Sequence, residues 1–322
     1  MKLSIKNIII YLIFLAVFLL PFKQIFAETV ATSVIVGNSA PAFSVQPFET
    51  VASTTVAPTN VGSTVTFQAT GTDGNSEDYY LAICKSNAIT ANNNGVPTCT
   101  GGNWCVSSAT TSGSPATCGF GTLQATAESN AWYAFVCDHS PSSSCSTMSQ
   151  GTVGGDGSPF EVNHPPSFIS IGVTTPLNPG STETWVTTVG TSDADTGASD
   201  TVKLVVCKTT GITAGACDGG ASDTWCTGSQ VANTPICSIG ISIPSADIGN
   251  SAYVYVFDNH NLAATGAVQA SASPYTINNV APVISAITLN GGSAITLAEG
   301  STAPVVLGAT ITDNNGCPDL LP

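Results

Sequence analysis

The stretch Thr64-Val65-Thr66-Phe67-Gln68-Ala69-Thr70-Gly71-Thr72-Asp73-Gly74-Asn75 decides the fold. Val65, Phe67 and Ala69 alternate with Thr and Gln, the period-two pattern of a strand with one face in a core and one in water. The strand runs into Asp-Gly-Asn, a strong turn signal. The same ending returns as Ser192-Asp193-Ala194-Asp195 and as Thr312-Asp313-Asn314-Asn315, so Asp73, Asp193 and Asp313 are spaced by 120 residues each time. A fixed period of this kind marks a repeat architecture.

Other features keep the same offset. Asn130 and Asn250 lie 120 residues apart, as do Asp138 and Asp258. Each of those two Asp ends an aromatic run, Trp132–Cys137 in one case and Tyr253–Phe257 in the other. Ser158-Pro159-Phe160-Glu161-Val162-Asn163 matches Ser273-Pro274-Tyr275-Thr276-Ile277-Asn278, and Asn-x-x-Pro linkers begin at Asn38, Asn163 and Asn279. The units therefore run over 38–162, 163–278 and 279–322. The third stops soon after its first Asp motif. A partial sandwich would leave unpaired edges and too little core, so the sequence is expected to be a fragment of a longer repeat protein.

Within a unit every signal is β. Tyr79, Leu81 and Ile83 alternate in the next strand, with Val202, Leu204 and Val206 as counterparts, and Val305, Leu307, Ala309 and Ile311 repeat the first strand in unit three. Trp185-Val186 breaks the alternation in unit two, which predicts a bulge. Short strands, Gly/Pro/Asn turns and the long period predict an all-β chain of tandem immunoglobulin-like antiparallel sandwiches.

All six basic residues are Lys, against 20 acids, for a net charge of −14. Lys2, Lys6 and Lys23 fall in residues 1–27, where a basic start, the apolar run Ile8–Leu20 and Ala27 read as a secretory signal peptide. Losing those three cations brings the mature chain to −17, with Lys85, Lys203 and Lys208 left. Residues 28–37 are then a short linker. So few cations argue against nucleic acid and against anionic membrane surfaces. No segment beyond the signal is long and apolar enough to span a bilayer. The chain is expected to be secreted or held at the cell surface.

Eleven Cys in an exported chain predict disulfides. Cys84, Cys99, Cys105 and Cys118 align with Cys207, Cys217, Cys226 and Cys237, bracketing a Gly/Asn-rich insert after the third strand. Four Cys allow three pairings; 84–99 with 105–118, and 207–217 with 226–237, are favoured. Cys137 and Cys145 form a separate clip, present where unit two has Phe257 and a shorter loop. Cys317 is left over. The absence of CxxC and the three His argue against zinc.

In a seven-strand sandwich the turns after the second and sixth strands lie at one end. Asp73 should meet Asp138, and Asp193 and Asp195 should meet Asp258, with the linker Asn nearby. Converging carboxylates favour a hard cation with oxygen ligands. Each turn also reads as an ordinary Asx turn needing no ion. Thr191-Ser-Asp193-Ala-Asp195-Thr-Gly197 resembles the Asp-Ala-Asp turn of cadherin-type repeats, and Asn163-His-Pro-Pro-Ser-Phe168 resembles a shortened form of their linker. The resemblance implies that Asp193 and Asp195 ligate Ca²⁺ between adjacent domains. Bacterial cell-surface Ig-like repeats are similar as well.

His139, His164 and His260 are the only histidines, and the chain has neither a Gly-x-Ser-x-Gly elbow nor a phosphate loop. The expected role is not enzymatic. It is that of a spacer, stalk or adhesion protein with an unknown protein or glycan partner, its joints stiffened by Ca²⁺. The alternative is a carbohydrate- or ligand-binding module that uses Trp104 and Trp225 in the insert loops.

Overall fold

The computed structural model describes residues 37–152, 156–188, 191–195 and 200–320, with positions 9, 10, 12, 13 and 15. Met1–Gly37 and Asn38–Pro322 are separate units. Apart from those five positions, the expected signal segment 1–27 lies outside the described residues, as does 28–36 of the linker. Among the described residues no helix is long and apolar enough to cross a membrane.

The larger unit opens with β1 (Ala42–Glu49), β2 (Thr59–Asn60), β3 (Thr64–Thr72), β4 (Tyr79–Cys84), β5 (Ile89–Asn92), β6 (Gly95–Cys99), β7 (Asn103–Val106), β8 (Pro115–Gly121), β9 (Ser129–Asn130), β10 (Tyr133–Asp138) and β11 (Phe160–Asn163). The sheets β1-β3-β8 and β10-β4-β7 are antiparallel and enclose Phe67, Leu81, Trp132, Val136 and Phe160. β11 runs parallel to β2, while Cys145 and Ser149 bridge to β10. Val65, Phe67 and Ala69 face inward, as their alternation requires.

The same order follows in β12 (Ile171–Val173), β13 (Thr182–Thr187), β14 (Val202–Cys207), β15 (Ile212–Thr213), β16 (Ala216–Cys217), β17 (Thr224–Thr227), β18 (Ile236–Gly240), β19 (Gly249–Asn250), β20 (Tyr253–Asp258) and β21 (Tyr275–Thr276). The sheets are β12-β13-β18 and β17-β14-β20, around Phe168, Trp185, Leu204, Val254 and Val256. The architecture is all-β, an antiparallel sandwich with immunoglobulin-type strand order.

Two expectations change. β13 has no bulge, since its register with β12 and β18 is unbroken. The alternation holds because Glu183 occupies an inward position, fully buried, and Val186 points outward at 41 % exposed. The strand looked irregular because an acid stands where an apolar residue belongs. β4, by contrast, does not alternate, and all six of its residues are buried. The Cys-rich insert folds over its outer face and makes a second small core from Ala82, Cys84, Cys99, Phe135 and Cys137. Val205, Cys207, Cys217, Tyr255 and Phe257 do the same in the second sandwich. The bridges are 84–99, 105–118, 137–145, 207–217 and 226–237, and Cys317 is free and exposed.

β22 (Val283–Leu289) and β23 (Leu307–Thr312) form an antiparallel hairpin that leaves Ile284, Leu307 and Ile311 exposed. A strand pair alone has no second layer under which to bury them.

Candidate cation-binding joints

Each joint is built from strand ends. Asp73 follows β3, Asp138 ends β10, and Glu77 lies in the turn before β4. Asp73, Glu77 and Asp138 each place a carboxylate oxygen within 4.8 Å of the others, the one such group of three or more among the described residues. Asn38 closes the cluster, donating from Nδ2 to Asp138 Oδ2 at 2.6 Å and to the Ser142 carbonyl at 2.8 Å. Asp138 also accepts from the Ser144 amide at 2.7 Å. Three oxygens are left buried and without a partner: Asn38 Oδ1, Asp73 Oδ2 and Glu77 Oε2.

The second joint is built from the corresponding strand ends, but Asp193, Asp195 and Asp258 do not bring three carboxylate oxygens within 4.8 Å of one another as the first joint does. Asn163 is 1 % exposed and donates from Nδ2 to Asp258 Oδ2 and to Asn60 Oδ1, each at 2.8 Å. Asp258 Oδ1 accepts from the His260 and Leu262 amides at 2.8 and 2.7 Å. Asn163 Oδ1 and Asp193 Oδ2 are buried and unbonded. Burial, with like charge on Asp195, Asp258 and Asp200, pushes the Asp193 carboxyl up to about 6. Burial raises Asp258, and burial followed by Asp195 raises Asp200. Glu128 and Glu161 of the first sandwich line one crevice with Asp195 and Asp200 of the second.

His164 clamps this joint. Its amide donates to Asp195 Oδ2 at 2.6 Å, and its ring nitrogens lie 2.8 Å from Asp195 Oδ1 and 2.9 Å from the Thr126 carbonyl. One ring thus ties the two sandwiches together and holds Asp195 to the linker.

One local device recurs in every copy. The amide of Asn75 donates to Asp73 Oδ1 at 2.6 Å, that of Asp195 to Asp193 at 3.1 Å, and that of Asn315 to Asp313 at 2.7 Å. The Asx turns are therefore real. Each uses only one oxygen, and Oδ2 of Asp73, Asp193 and Asp313 is buried with no partner. A buried oxygen without a partner costs roughly 1–3 kcal/mol. Three in the same place point to a missing partner. Among the described residues the ion pairs are His164–Asp195 and His260–Asp200, so no Lys neutralises these acids. All-oxygen donors, net negative charge and unfilled acceptor sites fit a hard divalent cation.

Glu77 and Asp200 escaped the fixed offset. Asp138 pairs with Tyr79 and Asp258 with Val202, so both acids stand two residues before equivalent strand positions. The turn preceding them is three residues longer in the second copy. Counting back from the strand, instead of forward from the first Asp, would have found them.

Trp104 and Trp225 are engaged elsewhere. Lys85 lies 4.3 Å over the Trp104 ring, which also packs edge-on against Phe120 and Phe160. Lys208 lies 4.8 Å over Trp225, which packs on Tyr275. Both indoles donate to backbone carbonyls, of Ala131 and Ser251.

No protein-family model and no curated protein matches the chain. Among solved structures the chain is similar to a marsupial T cell receptor at 10 % identity, covering 84 % of this chain and 100 % of that one, with a TM-score of 0.38. It is similar to the chicken CNTN1 FN1-FN3 domains at 10 % identity, covering 73 % and 69 %, with a TM-score of 0.32. A chimeric titin Z1Z2-Z1Z2 tandem shares 13 % identity over 74 % of this chain and 98 % of its own, with a TM-score of 0.19. All three likenesses are remote.

Proposed function

We propose that the chain is an extracytoplasmic spacer or adhesion stalk made of tandem β-sandwich repeats, with a Ca²⁺ ion stiffening each joint. The repeats span 38–162, 163–278 and 279–322, after a signal peptide over 1–27 and a lead-in over 28–37. The observation that carries this reading is the buried, unpartnered Oδ2 of Asp73, Asp193 and Asp313. At the first joint the ion would take oxygens from Asp73, Glu77, Asp138 and Asn38. At the second it would take them from Asp193, Asp200, Asp258 and Asn163. At the second joint Asn163 ends the last strand of the first sandwich and the acids belong to the second, so binding there restrains the angle between neighbours, while at the first it fixes the chain entering the sandwich. The disulfides support an oxidising compartment, where free Ca²⁺ matches the weaker affinities of extracellular sites.

Small-angle scattering of the full chain in CaCl₂ and in EDTA tests this. A longer maximum dimension in calcium, with binding heat in calorimetry, is the expected result. Superimposable profiles and no heat would refute the ion-stiffened joint.

A further inference from the structure

The two sandwiches share a plan, so the core of each serves as a control for the other. Val65 faces Phe120 across β3 and β8, and the counterpart pair across β13 and β18 is Glu183 and Ile239. Phe160 pairs with Asn130, and its counterpart Tyr275 pairs with Asn250. In the first sandwich the Phe120 ring fills the space against Trp104 and Phe160, with ring centroids 4.8 and 5.9 Å away. In the second that ring is missing. The smaller Ile239 stands in its place and borders a cavity of about 290 Å³. Glu183 lies outside the lining; its Oε1 accepts from the Thr174 and Thr184 amides at 3.0 and 2.8 Å, and its Oε2 is buried without a partner.

The lining decides what can enter. Ile239, Ile241, Ile248 and Ile277 make it apolar, and no charged or His side chain among the described residues contributes to it. An ion would find no counter-charge there, and four isoleucines would desolvate the hydroxyls of a sugar without pairing them. The walls are fixed by the backbone: the Ile277 amide donates to the Ile248 carbonyl at 3.2 Å, and the Ile241 amide to the Ser181 carbonyl at 2.8 Å. The polar side chains of Ser242, Ser245 and Asn250 are exposed or half-buried. Tyr275 differs. It lines the cavity and is 2 % exposed, yet its hydroxyl makes no hydrogen bond among the described residues. Its counterpart Phe160 has no hydroxyl to satisfy. The second sandwich has thus lost a ring and gained an unpartnered phenol at one place. An apolar cavity of roughly 150 Å³ accepts benzene, so this one holds a ring with a small substituent. Trp225, whose ring already carries Lys208 at 4.8 Å, serves only as a wall.

We propose that this cavity binds a small uncharged aromatic molecule, whose ring takes the place that Phe120 holds in the first sandwich and whose oxygen accepts a hydrogen bond from the Tyr275 hydroxyl. A ring there regains the edge-on aromatic contacts that Phe120 makes. None of the joint acids lines the cavity, so occupancy requires no calcium.

The test is a ligand-observed NMR titration of the full, disulfide-bonded chain in EDTA, with benzyl alcohol, toluene and methyl α-glucoside as probes. Benzyl alcohol should bind about tenfold or more tighter than the glucoside. Tyr275→Phe, which installs the residue of the first sandwich, should lower the affinity for benzyl alcohol relative to toluene about fivefold, the share of one net hydrogen bond. Ile239→Phe, which restores the filling ring, should lose both aromatic probes while melting no lower than the parent. No binding of benzyl alcohol by the parent, tighter binding of the glucoside, an unchanged ratio in Tyr275→Phe, or full binding by Ile239→Phe would each overturn the proposal. If Ile239→Phe melts lower, the ratio in Tyr275→Phe decides alone. EDTA keeps calcium off the joints, so a failure here leaves the scattering result untouched, and the reverse holds.

Discussion

Without divalent ions, raising the pH should weaken the fold, and calcium should reverse the trend. Asp193 has an ordinary value of 3.8 when exposed and about 6 when folded. The folded state thus holds its proton more tightly than the unfolded state. Its stabilising effect is complete below the unfolded value and is lost as the pH rises through the folded one. The difference is about two pH units, and at 1.36 kcal/mol per unit it amounts to at most about 3 kcal/mol. At roughly 2–4 °C per kcal/mol for a chain of this size, the melting temperature should fall by about 6–12 °C. Asp200 and Asp258 are raised as well and act in the same direction. The assay is differential scanning calorimetry between about pH 4 and 7 in EDTA, on the parent and on Asp193→Asn. The variant, which carries no charge there, should show a shallower fall. In calcium the parent should instead gain stability with pH, because ionised carboxylates are the ligands. A melting temperature that rises with pH in EDTA, or identical slopes for parent and variant, would refute the reasoning.

Glu77→Gln removes one charged ligand at the first joint and should weaken calcium binding there by at least tenfold, about 1.4 kcal/mol, read by calorimetry, with the melting temperature in EDTA unchanged or higher. Glu183→Val installs the residue the first sandwich uses at that position, and it should raise stability at neutral pH by about 1–3 kcal/mol, as a denaturant midpoint. Replacing Cys105 and Cys118 together by Ala opens a loop of sequence separation 13 and should cost about 3 kcal/mol in urea unfolding.

Particular residues show where sequence reading succeeds. Val65, Phe67 and Ala69 face inward because alternation is a local property of a strand, and it needs no knowledge of the partner sheet. The 120-residue spacing of Asp73, Asp193 and Asp313 likewise predicted matching turns, and all three Asp make the same Asx bond. Sequence reading misjudged Trp185-Val186, because Glu183 held an apolar position, and it missed Glu77 and Asp200, because turn length differs between copies. His164 gave no local sign of its role, since its two acceptors come from different sandwiches.

The sequence by itself determined the all-β class, the period, the cysteine sets and the chain positions of the acids. These follow from side-chain periodicity, turn chemistry and self-comparison, all of which act over a few residues or by counting. Only the tertiary structure decided which strand ends meet, which oxygens stay buried without a partner, and where Ile239 borders a cavity beside Trp225. Those are questions of distance between residues remote in sequence, and burial is a property of the assembled layers alone.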